Sequence, residues 1–357
     1  MIGNILYVLP TGGYSGGANS IVQEVGGFLR MGLNAAIAVD AGNHAGLASA
    51  YASLPAVLST MKPYGSPAIL RDLLAGADVA VATVATSVPS LVKAWRVLPD
   101  GRRPRLFYYI QDYEPLFFAP GSGEWTAAHQ SYEQGPDLRG MAKTDWLCRV
   151  VQARHGMTVA RVKASIDHDV FFPLLHGRGP DRPSIAAMIR PHTPRRAPRR
   201  TCRVLNRLAQ ALGERVSITT FGCEADELRR HGLALAPSIA HHGRLTREQV
   251  AHVLRQTDLF LDLSDYQAFG RTGLEAMACG AVSLMPLLGG AGEFVIHGEN
   301  GFLVDVREEP EILRTVQRFV DLPGSTRQAM RMAAIRTAAD HTVQKACVSI
   351  LEVFLSG

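Results

Sequence analysis

The segment between residues 258 and 305 most constrains the fold of this chain, because strand and helix signals alternate within it. An apolar run over residues 259–263 predicts a strand, and Gly270-Arg271-Thr272-Gly273 predicts a turn. A helix signal follows from Leu274, ends at Gly280, and leads into a second apolar strand over residues 282–285. Strand, glycine turn, helix and strand in this order predict half of a parallel α/β sheet.

The glycine turn is predicted at the carboxyl end of a strand, where open α/β sheets bind their ligands. The N–H groups of Arg271, Thr272 and Gly273 would then face a phosphate at the start of the helix. An ordinary βα unit with glycines for packing would also explain this turn. It would not explain the second glycine pair at residues 289–290 or the His-Gly pair at residues 297–298.

A length of 357 residues favours two domains, and 47% hydrophobic with 19% charged residues is typical of globular proteins. We predict an N-terminal domain over residues 1–172, a linker over 173–183, a second domain over 184–341, and a helix over 342–357 that packs back on the first domain. The net charge of +5 suits an anionic nucleotide or a membrane surface. The basic residues do not interleave with aromatic ones, so we expect no nucleic-acid partner.

Five widely spaced cysteines without a Cys-x-x-Cys pair predict reduced thiols and a cytoplasmic protein. The first residues lead directly into a predicted strand, so we expect no signal peptide. The longest uncharged run, residues 79–92, is too short and too rich in Ser and Thr to span a bilayer. Any membrane contact is therefore expected to be peripheral, at the inner face.

The N-terminal half opens like a Rossmann domain. A strand over residues 5–9, a glycine-rich turn, a helix over 18–31 and a strand over 35–39 that ends at Asp40 follow one another. An acid after the second strand could hold the ribose of NAD, but the spacing Gly12-Gly13-x-x-Gly16-Gly17 is not G-x-G-x-x-G. We therefore favour phosphate contact by Gly16 and Gly17 without a dinucleotide cofactor.

Two further segments place charged residues at predicted strand ends. The strand over residues 105–110 runs into Gln111-Asp112-Tyr113-Glu114-Pro115, and a strand over 184–189 ends at Arg190. A polar turn held by Pro115 explains the proline but not two acids. The pair Asp167-x-Asp169 also suggests a divalent cation, an alternative to its role in a turn that leaves the first domain.

The C-terminal segment resembles the signature of the retaining GT-B glycosyltransferases of family 4. The matching residues are Glu275, Ala276-Met277-Ala278-Cys279-Gly280, Gly289-Gly290, Glu293 and His297-Gly298-Glu299-Asn300-Gly301. The family carries a first Glu eight residues before the second, and this chain has Gln267 there. The resemblance implies an α/β GT-B fold, in which two Rossmann-like domains have parallel sheets facing a cleft.

The resemblance also implies roles for individual residues. Arg190 and Arg195, with Arg196 as a rival for the second position, correspond to the Arg and Lys that grip the donor diphosphate. The other donor contacts implied are Gly16, Gly17, Arg244, Leu245, Gly270, Arg271, Thr272, Gly273 and Glu275. No metal or cofactor is expected, since side chains and amides would neutralise the diphosphate.

The Gln-Asp-Tyr-Glu-Pro segment resembles the subset of this family that transfers L-rhamnose from a dTDP donor. Asp112 and Gln111 are then expected to contact the reacting sugars, and Gln267 to orient the donor hydroxyls. Gln267 cannot ionise and so cannot be a covalent nucleophile. The acceptor implied is an oligosaccharide or a lipid-linked glycan in surface polysaccharide synthesis. A UDP- or GDP-sugar transferase, an epimerase and a noncatalytic nucleotide-sugar-binding protein are the alternatives.

Overall fold

The computed structural model describes residues 2–13, 15–174 and 182–356, and the chain divides into two compact units. The first unit comprises Met1–Ser165 with Thr342–Gly357, and the second comprises Ile166–His341. Residues 166–172, which we expected in the N-terminal domain, therefore belong to the second unit. The predicted linker, residues 173–183, lies largely outside the described residues.

In the described part of the first unit, seven parallel strands form one sheet in the order β3-β2-β1-β4-β5-β6-β7. The strands are β1 Asn4–Leu9, β2 Asn34–Asp40, β3 Met61–Tyr64, β4 Val79–Ala82, β5 Arg105–Ile110, β6 Leu138–Ala142 and β7 Val159–Arg161. The helices are α1 Gly16–Arg30, α2 Ala41–Ala50, α3 Pro55–Leu58, α4 Pro67–Leu74, α5 Ser87–Arg96, α6 Gly123–Gln130 and α7 Asp145–His155.

The middle of this sheet is buried on both faces, which explains its uninterrupted apolar strands. All four residues of β4 are buried, as are five of the six in β1 and five of the six in β5. Helix α1 begins where the Ser15 hydroxyl accepts a hydrogen bond from the Ala18 N–H at 3.0 Å. Strands β1, β4 and β5 are neighbours, so the segments after their carboxyl ends meet at one edge.

The second unit repeats this architecture with six parallel strands in its described residues, in the order β10-β9-β8-β11-β12-β13. The strands are β8 Ser184–Met188, β9 Ser217–Phe221, β10 Ile239–His241, β11 Leu259–Leu261, β12 Val282–Pro286 and β13 Gly301–Val304. The helices are α8 Pro198–Leu212, α9 Ala225–Arg230, α10 Arg247–Arg255, α11 Arg271–Ala278, α12 Glu309–Asp321 and α13 Gly324–Ala339.

The last helix, α14, spans Val343–Leu355 and packs against α1 within the first unit. Its buried residues Cys347, Ile350 and Phe354 join the apolar core beneath the first sheet. Ser349 fixes the helix further, because its hydroxyl accepts a hydrogen bond from the Lys163 N–H at 2.8 Å. The described residues contain no helix that is both long and apolar enough to cross a bilayer.

Candidate functional site

In the first unit, the predicted residues Gly17 and Gln111 lie in contact. Gln111 follows the carboxyl end of β5, and Gly17 lies in the first turn of α1. A Cβ atom on Gly17 would lie 3.1 Å from Gln111 Nε2, so the amide packs on the backbone of the helix N-terminus. The same Nε2 donates a weak hydrogen bond, 3.5 Å, to the Thr83 carbonyl after β4. The segments that follow the neighbouring strands β1, β4 and β5 thus form one polar surface.

The two acids of the Gln-Asp-Tyr-Glu-Pro segment have different surroundings. Glu114 Oε1 accepts a hydrogen bond from the Ala85 N–H at 2.8 Å, so this carboxylate fastens the segment to the end of β4. Asp112 Oδ1 accepts from the Tyr113 N–H at 2.9 Å, and Asp112 remains partly exposed. The Tyr132 hydroxyl donates to the Asp112 carbonyl at 3.4 Å. Glu114 therefore fastens the segment to β4, and Asp112 lies partly exposed after the end of β5.

In the second unit, the glycines at the start of α11 pack closely against the side chain of Met285. Gly270 has φ of +98° and is the N-cap residue, and a Cβ there would lie 2.6 Å from Met285 Cε. A Cβ on Gly273 would overlap Met285 Sδ, so the side chain of Met285 packs directly on the helix backbone. The predicted turn over residues 271–273 was wrong, since these residues already form the first turn of the helix. Their N–H groups still point along the axis of α11.

Glu275 is the buried acid of this site, with 7% of its surface exposed. Burial raises its pKa to about 7, and the nearby carboxylate of Asp167 acts in the same direction. The positive charges of Arg271, Arg247 and Arg190 oppose this shift, and Arg271 Nη1 lies 4.0 Å from Glu275 Oε1. The carboxyl group can therefore exchange a proton near neutral pH, unlike an exposed glutamate.

Arg190 extends from the end of β8 into the same cluster. Desolvation is the largest cause that lowers the pKa of the Arg190 guanidinium, and repulsion from Arg196 and Arg195 lowers it further. The negative charges of Asp262 and Glu275 act in the opposite direction and raise this pKa. Positive charges that repel Arg190 from two sides produce a local positive potential, which favours an anion. Arg190 thus lies near both Arg195 and Arg196 and also near Glu275.

Gln267 is buried and hydrogen-bonded to a carboxylate that our sequence interpretation missed. Its Nε2 donates to Asp262 Oδ2 and, at 3.3 Å, to the Ser264 hydroxyl. Asp262 Oδ1 in turn accepts from the Ser264 hydroxyl and N–H, the latter at 3.1 Å. Asp262 directly follows β11 as a single acid within an apolar run, and that break in the pattern was the available signal.

Arg244 and Leu245, the predicted contacts of the nucleotide base, lie after β10. Arg244 Nη2 binds both carboxylate oxygens of Glu227 at 3.0 and 2.8 Å. Hydrogen bonds from the Glu224 N–H and then from Arg244 lower the pKa of Glu227 to about 2. Arg244 is therefore already paired with an acid, while Leu245 remains partly exposed.

The Asp167-x-Asp169 pair is occupied by protein groups. Asp167 Oδ2 binds Arg247 Nη2 at 2.8 Å, and its Oδ1 accepts from the Asp169 N–H at 3.1 Å. These contacts favour the role of Asp167 in a turn over the binding of a cation.

The end of the family signature is also structural. The Asn300 side chain accepts a hydrogen bond from the Ile296 N–H at 2.7 Å and donates one to the Phe294 carbonyl at 2.8 Å.

A buried ion pair in the first unit was not predicted from the sequence. Lys143 Nζ lies 3.7 Å from Glu24 Oε1, and their side chains are 6% and 0% exposed. Lys143 also donates to the Ser20 hydroxyl at 2.6 Å, and the Tyr109 hydroxyl donates to Glu24 at 2.8 Å. Lys143 follows β6 and Glu24 lies on α1, so the two residues are far apart in sequence. They meet only because of the way the first unit folds.

Two parallel Rossmann-like sheets define the fold as that of the GT-B glycosyltransferases, which confirms the predicted fold class. The whole chain is similar to the crystal structure of Anabaena Alr3699/HepE in complex with UDP and glucose, with a TM-score of 0.79, 16% identity and 100% of each chain covered. It is also similar to S. aureus TarM, with a TM-score of 0.77, 9% identity and coverage of 99% and 100%.

At the sequence level, residues 180–337 match the family model described as Glycosyl transferases group 1. The O-antigen biosynthesis protein RfbC of Myxococcus xanthus is 30% identical over 234 residues, which are 65% of this chain and 17% of that protein. A glycogen synthase of Mycobacterium tuberculosis is 28% identical over 131 residues, 37% of this chain and 31% of the relative. The matched segments thus span less than a third of each of these relatives. The second unit carries the group 1 sequence pattern.

Proposed function

We propose that this chain is a retaining glycosyltransferase that moves a sugar from a nucleoside diphosphate to a glycan acceptor. The observation that carries the proposal is that Arg190 lies near Arg195 and also near Glu275, which belongs to α11. Arginines and helix N–H groups neutralise a diphosphate, and a nearby carboxyl group can accept the ribose hydroxyls. The similarity to a structure with bound UDP and glucose supports the same ligand class here.

For the donor we propose dTDP-L-rhamnose, with a UDP- or GDP-sugar as the alternative. Support comes from the Gln-Asp-Tyr-Glu-Pro segment and from the neutral residue Gln267, since a 6-deoxy sugar presents fewer hydroxyls to hold. For the acceptor we propose an oligosaccharide or lipid-linked glycan of a surface polysaccharide. The similarity to a protein of O-antigen biosynthesis supports this choice.

The proposed reaction needs no nucleophile from the protein. The bond between the anomeric carbon and the diphosphate oxygen breaks, and that oxygen takes the proton of the attacking acceptor hydroxyl on the same face. The acceptor oxygen then forms the new glycosidic bond with retention. Arg190, Arg195 and the first N–H groups of α11 stabilise the charge that develops on the diphosphate. Asp112 and Gln111 are proposed to orient the reacting sugars.

The test is a panel of nucleotides and nucleotide sugars measured by thermal unfolding of the full chain, with Mg²⁺ or with EDTA. A ligand that binds the native state raises Tm by mass action. Each shift is compared with ligand-free protein in the same buffer, so any effect of EDTA on the protein alone does not count. We expect shifts with dTDP and dTDP-rhamnose that are equal in both buffers.

Other outcomes of the panel decide between the alternatives. Shifts with UDP or GDP sugars alone would replace the donor and keep the transferase. A shift that appears only with Mg²⁺ would contradict a donor site built from arginines. The buried contacts of Gln267 favour one second candidate, a nucleotide-sugar-binding protein without activity. Donor binding without hydrolysis or transfer to any glycan in a time-resolved NMR assay would support that candidate.

A further inference from the structure

Three side chains with metal-binding atoms meet at the ends of α6 and α7 in the first unit. His129 lies in the last turn of α6, Glu133 follows it by four residues, and His155 ends α7. One ligand atom of each lies within 4.8 Å of the other two. His129 Nδ1 and His155 Nδ1 lie 3.2 and 3.3 Å from the same carboxylate oxygen of Glu133.

These separations are close to those of a tetrahedral zinc site. Bonds of about 2.0–2.1 Å to nitrogen and oxygen place neighbouring ligand atoms roughly 3.4 Å apart around Zn²⁺. The two distances to Glu133 are close to this value, whereas the ligand atoms of the two histidines, which lie within 4.8 Å of each other, would have to move together as the metal binds. We propose that His129, Glu133 and His155 bind one divalent first-row metal ion, for which Zn²⁺ is the probe.

The surroundings hold both imidazole rings in place. The His155 side chain is fully buried, and its Nε2 lies 2.9 Å from the Tyr113 hydroxyl. Such an outer partner fixes the ring so that the other nitrogen, Nδ1, faces the metal. Tyr132 stacks on His155 with centroids 4.6 Å apart, and Trp125 stacks on His129 at 4.8 Å.

The types of ligand atom determine which metal ions this site would bind. Two imidazoles and one carboxylate suit Zn²⁺ and similar first-row ions, whereas Mg²⁺ prefers oxygen ligands and octahedral geometry. Three protein ligands leave one position of a tetrahedron for water. The side chain of Glu133 is 48% exposed, so the ion can enter from solvent. The competing explanation is a cluster held only by hydrogen bonds between Glu133 and the two histidines.

Metal binding at this site would affect the position of the segment that carries Asp112. Tyr113 belongs to the Gln-Asp-Tyr-Glu-Pro segment and contacts His155, while Tyr132 donates to the Asp112 carbonyl. A metal that fixes His155 would therefore also fix the position of Asp112. The inference of metal binding does not depend on the proposed transferase activity, because its test measures the metal alone.

The experiment uses the full chain stripped of metal by a chelator and dialysed into metal-free buffer. Zn²⁺ binding is measured by competition with a chromophoric chelator and by the shift in Tm, with Mg²⁺ as the comparison ion. We expect about one Zn²⁺ per chain, a Tm increase with Zn²⁺, and no response to Mg²⁺. Tyr113→Phe should weaken Zn²⁺ binding by about 10- to 100-fold, as loss of an outer hydrogen bond does.

The double variant His129→Ala/Glu133→Gln should lose this Zn²⁺ equivalent and the Tm increase. Both side chains are partly or largely exposed, so the variant is expected to fold. His252→Ala removes an exposed histidine of α10 and should bind Zn²⁺ as the unchanged chain does. Equal Zn²⁺ binding by the unchanged chain and the double variant, or no binding by either, would overturn the proposal and leave a hydrogen-bonded cluster only.

Discussion

The amide of Gln267 is held by the carboxylate of Asp262, to which its Nε2 donates. A carboxylate accepts hydrogen bonds, so this contact fixes which way the amide is turned. The Gln267 Nε2 also donates to Ser264, which leaves Oε1 as the amide atom directed away from Asp262. The carboxylate that holds this amide therefore lies five residues earlier, directly after β11. A glutamate at position 267 would meet this second buried carboxylate.

Gln267→Glu is therefore expected to destabilise the protein increasingly as the pH rises. The two carboxyl groups would share a proton, which raises the native pKa of the pair above its unfolded value. Stability is then retained at low pH and lost as the pH rises toward that native pKa, by about 1.4 kcal/mol for each unit of difference. Urea unfolding at pH 5 and pH 8 measures the loss.

The exchange variant Asp262→Asn/Gln267→Glu is the control for this prediction. It restores one amide and one carboxylate with their places reversed, so most of the stability lost at pH 8 should return. If the double variant is as unstable as Gln267→Glu at both pH values, the contact between residues 262 and 267 does not cause the loss. Unchanged stability of Gln267→Glu at pH 8 would also contradict the prediction.

Glu275 predicts a pH dependence of the unchanged protein. Its native pKa of about 7, against an ordinary 4.5, means that the native state holds a proton that the unfolded chain releases. This contribution to stability is full below pH 4.5 and is lost as the pH rises to 7, by roughly 3 kcal/mol at pH 8. Glu275→Gln should abolish this loss, as measured by urea unfolding between pH 4.5 and 8.

The matched control for Glu275 is Glu352→Gln, which removes an exposed carboxylate of α14 and should leave the pH dependence of the unchanged chain in place. A pH profile of Glu275→Gln that runs parallel to that of the unchanged chain would mean that the native pKa of Glu275 is not raised above its unfolded value. Burial would then be outweighed by Arg271, Arg247 and Arg190.

The fold was predictable because its signals are local. Apolar strands such as β4 and β5 are buried along almost their entire length, and their runs of β-branched and aromatic residues show in the sequence. The start of α11 was placed three residues late because Gly270 caps the helix through a positive φ, without the Ser, Thr, Asp or Asn that usually marks an N-cap. The sequence analysis favoured phosphate contact over packing for these glycines, and the structure shows that both pack against Met285.

The partners of the site residues could not be predicted, because they depend on tertiary packing. Lys143 and Glu24 are far apart in sequence and meet only because β6 and α1 belong to the same unit. The pairing of Arg244 with Glu227 joins the segments after β10 and β9 in the same way. Motif spacing selected Arg190 and Glu275 as candidate site residues, but the pKa of each depends on charges that approach from other elements.

The buried pair of Lys143 and Glu24 predicts a large loss on removal of one partner. Lys143→Met leaves the Glu24 carboxylate buried without its cation, which costs about 3–5 kcal/mol for pairs of this kind. Lys143→Met/Glu24→Gln removes both charges and should recover more than half of the loss. Urea unfolding at pH 7 checks both. A loss below about 1 kcal/mol for Lys143→Met would show that Glu24 becomes neutral or reaches water.

Arg190→Ala should weaken binding of the donor nucleotide by about tenfold or more. The variant removes a charge-assisted hydrogen bond to the diphosphate, worth ~1.5–3 kcal/mol, and leaves Arg195 and Arg196 as the remaining cations. Isothermal titration with dTDP, or with whichever nucleotide raises Tm in the panel, measures the change.

Arg199→Ala removes an exposed arginine from the first turn of α8 and is the control for the loss of one positive charge. Equal affinities of the two variants would mean that Arg190 acts only through the overall charge of the protein and does not contact the diphosphate.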